Sequence, residues 1–504
     1  METTNTKKRK PWVNWFLFII TLLGVFALGL LASSITERKA EAKFAYQPHV
    51  EIDSFEPRNE VWGKNFPKEY QSYIQTSDTS FKSKHNGNAS IDMLAVDPRL
   101  VVLWAGYAFS KDYNQSRGHY YAITDVNNTL RTMNPMSDTA SKQQPATCWT
   151  CKSPDVPRMM NEMGVKEFYG AKWSQLGPQI VNHIGCGDCH DSKTMMLQIT
   201  RPALVEAFAN QGKDITKVSH QEMRSLVCAQ CHVEYYFNKK MHKDTAYLVF
   251  PWKNGFSVEQ MEAYYDSIGF SDWTHALSKA PMLKAQHPDY EVYSKGVHAD
   301  RGVSCADCHM PYRTEGGVKY TDHHIQSPLN NVANSCQVCH REETEKLVRN
   351  VYERQDKVIE NRDKLEELLV RAHVESKLAW DKGANAEQMK DILKHIRKSQ
   401  WRWDYAAAGH GNAFHAPIEM LRVIGAGITE AQEARIKLAR LLSSLGVTSE
   451  VPYPDITTKA KAQEYIGLDI PKLKQAKSEF LKTIIPIWMQ KAKERESKWI
   501  VKNI

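Results

Sequence analysis

No low-complexity tract occurs in these 504 residues, and no cysteine stands outside a Cys-x-x-Cys pair. The first absence excludes a chain dominated by disorder. It leaves an ordinary globular composition, 25% charged and 42% hydrophobic, long enough to bury a large core. The second absence bears on chemistry, because ten cysteines in five pairs fit a zinc ribbon poorly: zinc half-sites combine in twos, and five is odd. Neither zinc coordination nor a disulfide framework requires a histidine directly after the second cysteine, yet four of the five pairs have one.

Those four are Cys186-Gly187-Asp188-Cys189-His190, Cys228-Ala229-Gln230-Cys231-His232, Cys305-Ala306-Asp307-Cys308-His309 and Cys336-Gln337-Val338-Cys339-His340. In a covalent c-type haem motif the two thiols form thioethers to the haem vinyl groups, and the next residue becomes the proximal iron ligand. The first pair, Cys148-Trp149-Thr150-Cys151, ends in Lys152 instead. The pattern therefore predicts five covalently bound haem c groups, one of them ligated by a lysine amine. Such an amine must be deprotonated; it then donates one lone pair, as imidazole does, without the ring's π system.

The amino terminus agrees with haem attachment outside the cytoplasm. Lys7-Lys8-Arg9-Lys10 precede an apolar run from Pro11 to Ala32, interrupted mainly by Asn14 and Thr21. This is an export signal with a basic flank, close to the roughly 20 residues that span a bilayer. Ala40-Glu41-Ala42 has the small-x-small form of a cleavage site but lies past the apolar run, in a charged stretch. Residues 1–43 thus read as a signal peptide or signal anchor, with the anchor favoured and the protein expected in the periplasm. The formal net charge of +8 could point to nucleic acid. Five haems, however, bring about ten propionate charges, so the basic excess is assigned to cofactors and a small anionic substrate, with no nucleic-acid partner.

Residues 44–340 hold every cysteine, and their periodicity is short and broken by loops at Pro145–Thr147, Gly185–Asp188 and Thr314–Gly317. The expectation is a mainly α, multihaem cytochrome c fold with little sheet, its core packed largely by haem. From 341 to 504 the pattern becomes helical. Leu347, Val351, Val358, Leu365, Leu369 and Ala372 fall at three- and four-residue steps in one long amphipathic helix over Arg341–His373. Further helices are expected over about Ala386–Ala408, Ile428–Leu445 and Ile470–Val501, capping the haem region or forming an interface. Nineteen histidines less four proximal ones leave fifteen for the second axial positions, and spacing alone does not choose among them.

Longer strings carry a resemblance. Cys-Trp-Thr-Cys-Lys-Ser-Pro-Asp-Val at 148–156, Cys-His-Val-Glu-Tyr-Tyr-Phe at 231–237, Pro-Met-Leu-Lys-Ala-Gln-His-Pro at 281–288 and Trp-Arg-Trp-Asp at 401–404 resemble pentahaem cytochrome c nitrite reductase, the ammonia-forming enzyme. The likeness spans nearly everything after the signal. It implies distal ligands His119 for the third haem, His298 for the fifth, His323 for the second and His415 for the fourth. His324 and His410 are close competitors, left with His183 as structural residues. The first haem keeps Lys152 below and an open face above, where the resemblance sets Arg131, Tyr235 and His287. A cation can hold anionic nitrite, an imidazole can pass protons, and a phenol can donate a hydrogen bond.

The loop between Arg131 and Cys148 is about one residue longer than the family pattern. Glu234, the backbone carbonyls of Tyr235 and Lys284, and the Gln286 amide are implied ligands of Ca²⁺, although no familiar calcium loop is present. The resemblance further implies a homodimer through the long carboxy-terminal helices and a membrane quinol-oxidising multihaem cytochrome as electron donor. Against a nitrite reductase stand three other readings. A pure electron-transfer cytochrome would carry five Cys-x-x-Cys-His motifs, and an octahaem or hydroxylamine-oxidising relative would need more than five. A metal-stabilised structural module fails on the motif count. Sulfite reduction remains a side activity to weigh.

Overall fold

The computed structural model describes residues 10–45, 48–132, 144–242 and 245–504. Lys7, Lys8 and Arg9 of the basic flank lie outside the described residues, as does most of the longer loop between Arg131 and Cys148. The chain divides into two compact units, Met1–Glu51 with Val501–Ile504, and Ile52–Ile500.

In the first unit, helix α1 covers Pro11–Ala45. Its Pro11–Arg38 stretch has a mean hydropathy of 2.5 and is long and apolar enough to cross a membrane, with its apolar side chains exposed. The helix continues through Ala40-Glu41-Ala42. After it, Val50 pairs with Asn503 in an isolated antiparallel bridge, flanked by Glu51 N donating to Lys502 O at 2.9 Å.

The second unit is mainly α, as expected, and its described strands form four antiparallel two-stranded pairs. These are Ile91–Asp92 with Asn114–Gln115, Tyr236–Asn238 with Tyr247–Val249, Trp273–Thr274 with Pro281–Met282, and Tyr312–Glu315 with Val318–Thr321. Thr314–Gly317, expected as a loop, is the tip of the last pair: Gly316 and Gly317 take the positive φ values of 57° and 79° that its turn needs. Cys186–Cys189 within the expected Gly185–Asp188 loop is a single helical turn. Helix α2, His220–Ala229, starts at Ser219, whose side chain accepts Glu222 N, and it delivers Cys228 at its end.

Four helices dominate the carboxy-terminal part. Helix α3 (Thr344–Asp381) outruns its expected end at His373 and stops where Gly383 adopts φ +90°, with Gly383 N bonded to Trp380 O. Helix α4 (Ala386–Ala408) begins at an Asn385–Gln388 capping box. Helix α5 (Pro417–Ser444) begins eleven positions before the expected Ile428, because Pro417 suits a first helical position. Helix α6 (Ile470–Glu496) carries an internal Pro486 and ends before the expected Val501.

Helices α3, α4 and α5 bury Val358, Leu365 and Leu369 against Ile392, Ile396, Val423, Ala431 and Leu438, the larger side chains each contributing about 1.5–3 kcal/mol of apolar burial. Gly427 lets α5 approach Leu365 and the Arg402 stem. His373 of α3 stacks on His275 with ring centroids 3.6 Å apart, linking these helices to the region after Trp273–Thr274. Trp104, Trp149, Trp252, Trp401 and Trp403 are almost wholly buried in a side-chain core, while the buried Trp62 lines the cavity described next.

Candidate active site

A cavity of about 2000 Å³ is lined by all ten cysteines, by Lys152 and by the four motif histidines. Helical geometry explains the spacing of the motifs. Residues i and i+3 of a helical turn share a face, so both thiols point the same way, and residue i+4 stacks beside the first. His190 N, His232 N and His340 N accordingly bond to the carbonyls of Cys186, Cys228 and Cys336 at 2.9–3.0 Å. The lysine motif winds more tightly. Cys148 N, Thr150 N and Lys152 N bond to the residues three back, Pro145, Thr147 and Trp149, at 2.9–3.2 Å. Trp149 anchors this turn by stacking on Trp173 at 5.0 Å and donating from its indole N–H to Trp173 O.

Thiol contacts map the order of the motifs. Cys151 and Cys189 lie within electrostatic reach of Cys231, Cys228 within reach of Cys305, and Cys308 within reach of Cys336. The Cys228–Cys231 motif thus adjoins the first, second and fourth, and the fourth adjoins the fifth. Buried arginines hold these neighbours. Arg201, 1% exposed, donates to Thr150 O (2.7 Å) and Ser153 O (2.9 Å) around the lysine motif and pairs with Asp188 of the second. Arg224 donates to Asp307 of the fourth motif at 2.9 Å.

Each histidine after a Cys pair faces another histidine across the cavity. Ring centroids are 6.1 Å apart for His190 and His323, 6.2 Å for His232 and His119, and 6.3 Å for both His309–His415 and His340–His298. Two imidazoles on opposite sides of one metal, with metal–nitrogen bonds of about 2 Å, put their centroids a little above 6 Å apart. All four distances are compatible with one iron between the rings, although His287 also lies 6.1 Å from His232, so for that motif distance alone does not choose His119. Their second nitrogens are oriented too: His190, His309 and His323 set Nδ1 against Met195 O, Gln326 O and Thr321 O at 2.8–2.9 Å, and His232 sets Nδ1 3.3 Å from Asp289. Burial pushes His119 down to about 3 and His415 to about 4, so both rings are neutral and carry a free lone pair. Of the competitors, His324 and His183 are not among the lining residues, whereas His410 is. Gly118, at φ +92°, turns the chain into His119, and a Cβ on Gly411 would overlap the His415 ring.

The lysine end of the cavity also receives Arg131, Tyr235 and His287. Arg131 and Lys152 both act on Cys148, Lys152 acts on His287, and Tyr235 feels both thiols of the lysine motif. The Arg131 guanidinium lies 4.3 Å from the Phe109 ring centroid, on which Lys284 also bears from 5.0 Å. Burial holds the Tyr235 phenol protonated, well above its ordinary range. It pushes His287 down to about 3, so the ring is neutral and offers one N–H.

The oxygen donors expected to hold calcium also converge. Gln286 N donates to Glu234 Oε2 at 2.6 Å, and its side-chain amide donates to Lys284 O at 3.2 Å. Glu234 is fully buried, and burial raises its carboxyl well above the usual range, which a bound cation would reverse. These donors include one carboxylate; among the described residues no group of three or more His, Cys, Asp or Glu is arranged around a metal. Sequence reasoning missed Asp272, which burial raises to about 7 and which accepts Lys284 N at 2.8 Å, and Tyr107, which lines the same cavity close to Gln286. Neither belongs to a motif, so only the fold brings them here.

A sequence profile of cytochrome c552 matches residues 58–498. The chain belongs to the cytochrome c552 family. Among its relatives, cytochrome c-552 of Parabacteroides distasonis is 58% identical over 99% of this chain and 100% of its own length. Cytochrome c-552 of Porphyromonas gingivalis is 56% identical over 97% of each. Among solved structures, the catalytic subunit of cytochrome c nitrite reductase from Desulfovibrio desulfuricans superposes with a TM-score of 0.72 at 32% identity, covering 84% of this chain and 91% of that one; two calcium sites are described for it. A cytochrome c552 chain thus carries this cavity on the fold of a multihaem reductase.

Proposed function

We propose that this protein reduces nitrite to ammonium at the site marked by Lys152. The observation that carries the reading is a contrast: four motif residues face an imidazole, whereas Lys152 shares its end of the cavity with Arg131, Tyr235 and His287. Five covalent haem c groups would be held by the five Cys pairs, with His190–His323, His232–His119, His309–His415 and His340–His298 as axial pairs and Lys152 as the single protein ligand of the first. When bound, that first haem would offer nitrite an iron position without a second protein ligand, and it would pass on, one at a time, six electrons from the external donor; with eight protons these give ammonium and two waters. The neighbouring motifs would supply the relay toward it.

Arg131 binds the nitrite oxygens and stabilises the charge that grows on them as they leave. Phe109 holds the guanidinium plane so that little order is lost on binding. His287 donates its N–H to the same oxygens, and negative charge brought beside it raises its affinity for a proton, making it the group that delivers protons. Tyr235, kept as a phenol, donates a further hydrogen bond. Glu234, Gln286 and the carbonyls of Tyr235 and Lys284 would hold Ca²⁺, fixing the chain on either side of Tyr235 and His287 and adding positive charge near the anion. We further assign the periplasm as location, a homodimer through α3 and a quinol-oxidising multihaem cytochrome as donor. The test is direct: the purified protein gains the mass of five haems and, with reduced viologen, forms ammonium from nitrite. A gain of four or fewer haems, or nitrite consumed without ammonium, defeats the reading.

A further inference from the structure

Lys477 lies in α6, remote in sequence from every motif, and its side chain is only 6% exposed. It does not line the cavity, yet its ammonium donates to Asn127 O at 2.9 Å, Thr132 O at 3.0 Å and Thr132 Oγ1 at 3.3 Å. These acceptors bracket Arg131. Thr132 follows it directly, and Asn127 belongs to the short helix Ala122–Asn128 that leads into it.

The grip is passed inward. The Thr132 hydroxyl donates to Val126 O (2.6 Å) and Thr129 O (3.1 Å), and the Thr129 hydroxyl accepts both Arg131 N and Arg131 Nε at 3.3 Å. From the other side Asp112 accepts Leu130 N at 2.9 Å, and the Gln144 amide donates to Arg131 O at 3.2 Å. A buried ammonium that touches only carbonyls and a hydroxyl adds less stability than an apolar side chain of similar shape would. Burial lowers the Lys477 pKa to about 8, with Asp112 opposing the shift and the Phe480 ring 5.0 Å away. Such a cost is informative about geometry: three donors on one tetrahedral centre fix three acceptors relative to one another, which an alkyl chain does not do.

We propose that Lys477 is the positioning residue of Arg131, holding the loop on both sides of it so that the guanidinium stays in its anion-binding pose. This rests on the reading of Arg131 as the nitrite clamp. The test compares the five-haem holoprotein with Lys477→Met and Lys477→Arg, and adds Thr132→Val as a milder change that keeps the helix side intact.

Two readouts are taken. Hydrogen exchange of the backbone amides at 127–132 is expected to accelerate about tenfold or more in Lys477→Met, as the loss of one charged hydrogen bond requires. The same variant is expected to raise the KM for nitrite about tenfold while leaving that for neutral hydroxylamine nearly unchanged, with Lys477→Arg recovering much of the difference and Thr132→Val moving both readouts in the same direction by less. Unchanged exchange in a folded Lys477→Met protein overturns the proposal, and so does an equal change for both substrates, which is what a merely structural prop would give. If exchange responds but the parent protein forms no ammonium from nitrite, the grip on the Arg131 loop stands and the nitrite reading falls.

Discussion

Phe109 lies between two cations, the Arg131 guanidinium at 4.3 Å and the Lys284 ammonium at 5.0 Å from its ring centroid. Both residues border the cavity, but Lys284 is paired with Asp404 at 2.7 Å, both of those side chains being almost inaccessible to water. The Lys284 charge is thus committed to a buried carboxylate, and Arg131 is the cation assigned to the anion. A charge-assisted hydrogen bond is worth about 1.5–3 kcal/mol, or roughly ten- to a hundredfold in binding. Arg131→Ala is expected to raise the KM for nitrite by that order while hydroxylamine, which carries no charge, loses much less. Steady-state kinetics on both substrates check this, and equal losses would remove the anion role.

A level above the residue, the site is assembled from single turns joined by buried arginines. Arg201 spans the lysine motif and the Cys186–Cys189 turn, and removing one partner of a buried pair leaves an uncompensated charge at a cost of about 3–5 kcal/mol. Arg201→Met should lower the unfolding free energy by that amount in urea titrations of the holoprotein; a loss under 1 kcal/mol would show that Asp188 finds other support. The Cys pairs were legible in the sequence because a helical turn fixes the spacing of two thiols and a ligand, and α4 was legible to the residue because its Asn385 cap is local. The start of α5 was not, since the apolar pattern alone gives no weight to Pro417 as a first helical residue. His323 and His415 could be chosen over their neighbours only through the resemblance; in space they face His190 and His309 across the cavity. Arg201, Asp272 and Lys477 stayed hidden for a common reason: each acts on residues far away in the chain, and a lone charged side chain carries no periodic signal.

For the whole molecule, two features decide when the fold persists. The first is the His275–His373 stack, fully buried apart from the cavity, with His373 Nδ1 on Ser278 Oγ at 2.9 Å and Nε2 on Gln400 Oε1 at 2.6 Å. Burial depresses His373 to about 4 and lowers His275 well below its ordinary value. Below a pH of about 6.5 the unfolded chain binds protons that the folded one refuses, so this stability is full above 6.5 and drains as pH falls toward 4. His373→Gln should flatten the loss between pH 6.5 and 4, read as the urea midpoint against pH; a wild-type slope in the variant would exclude the stack as its source.

The second feature is the cavity itself. Its lining is largely apolar and carries all ten cysteines, so bound haems would supply the packing on that side of the core. Covalent attachment is therefore expected to precede or accompany folding. Made in a compartment without haem attachment, or with all ten cysteines replaced by alanine, the chain should show little of the helical far-ultraviolet signal of the holoprotein in the 52–500 unit and should be cleaved throughout that unit by dilute protease. A protease-resistant, helical haem-free chain would mean that the tryptophan core and α3 to α5 suffice without the cofactors, and that the cavity is a guest site on a self-sufficient fold.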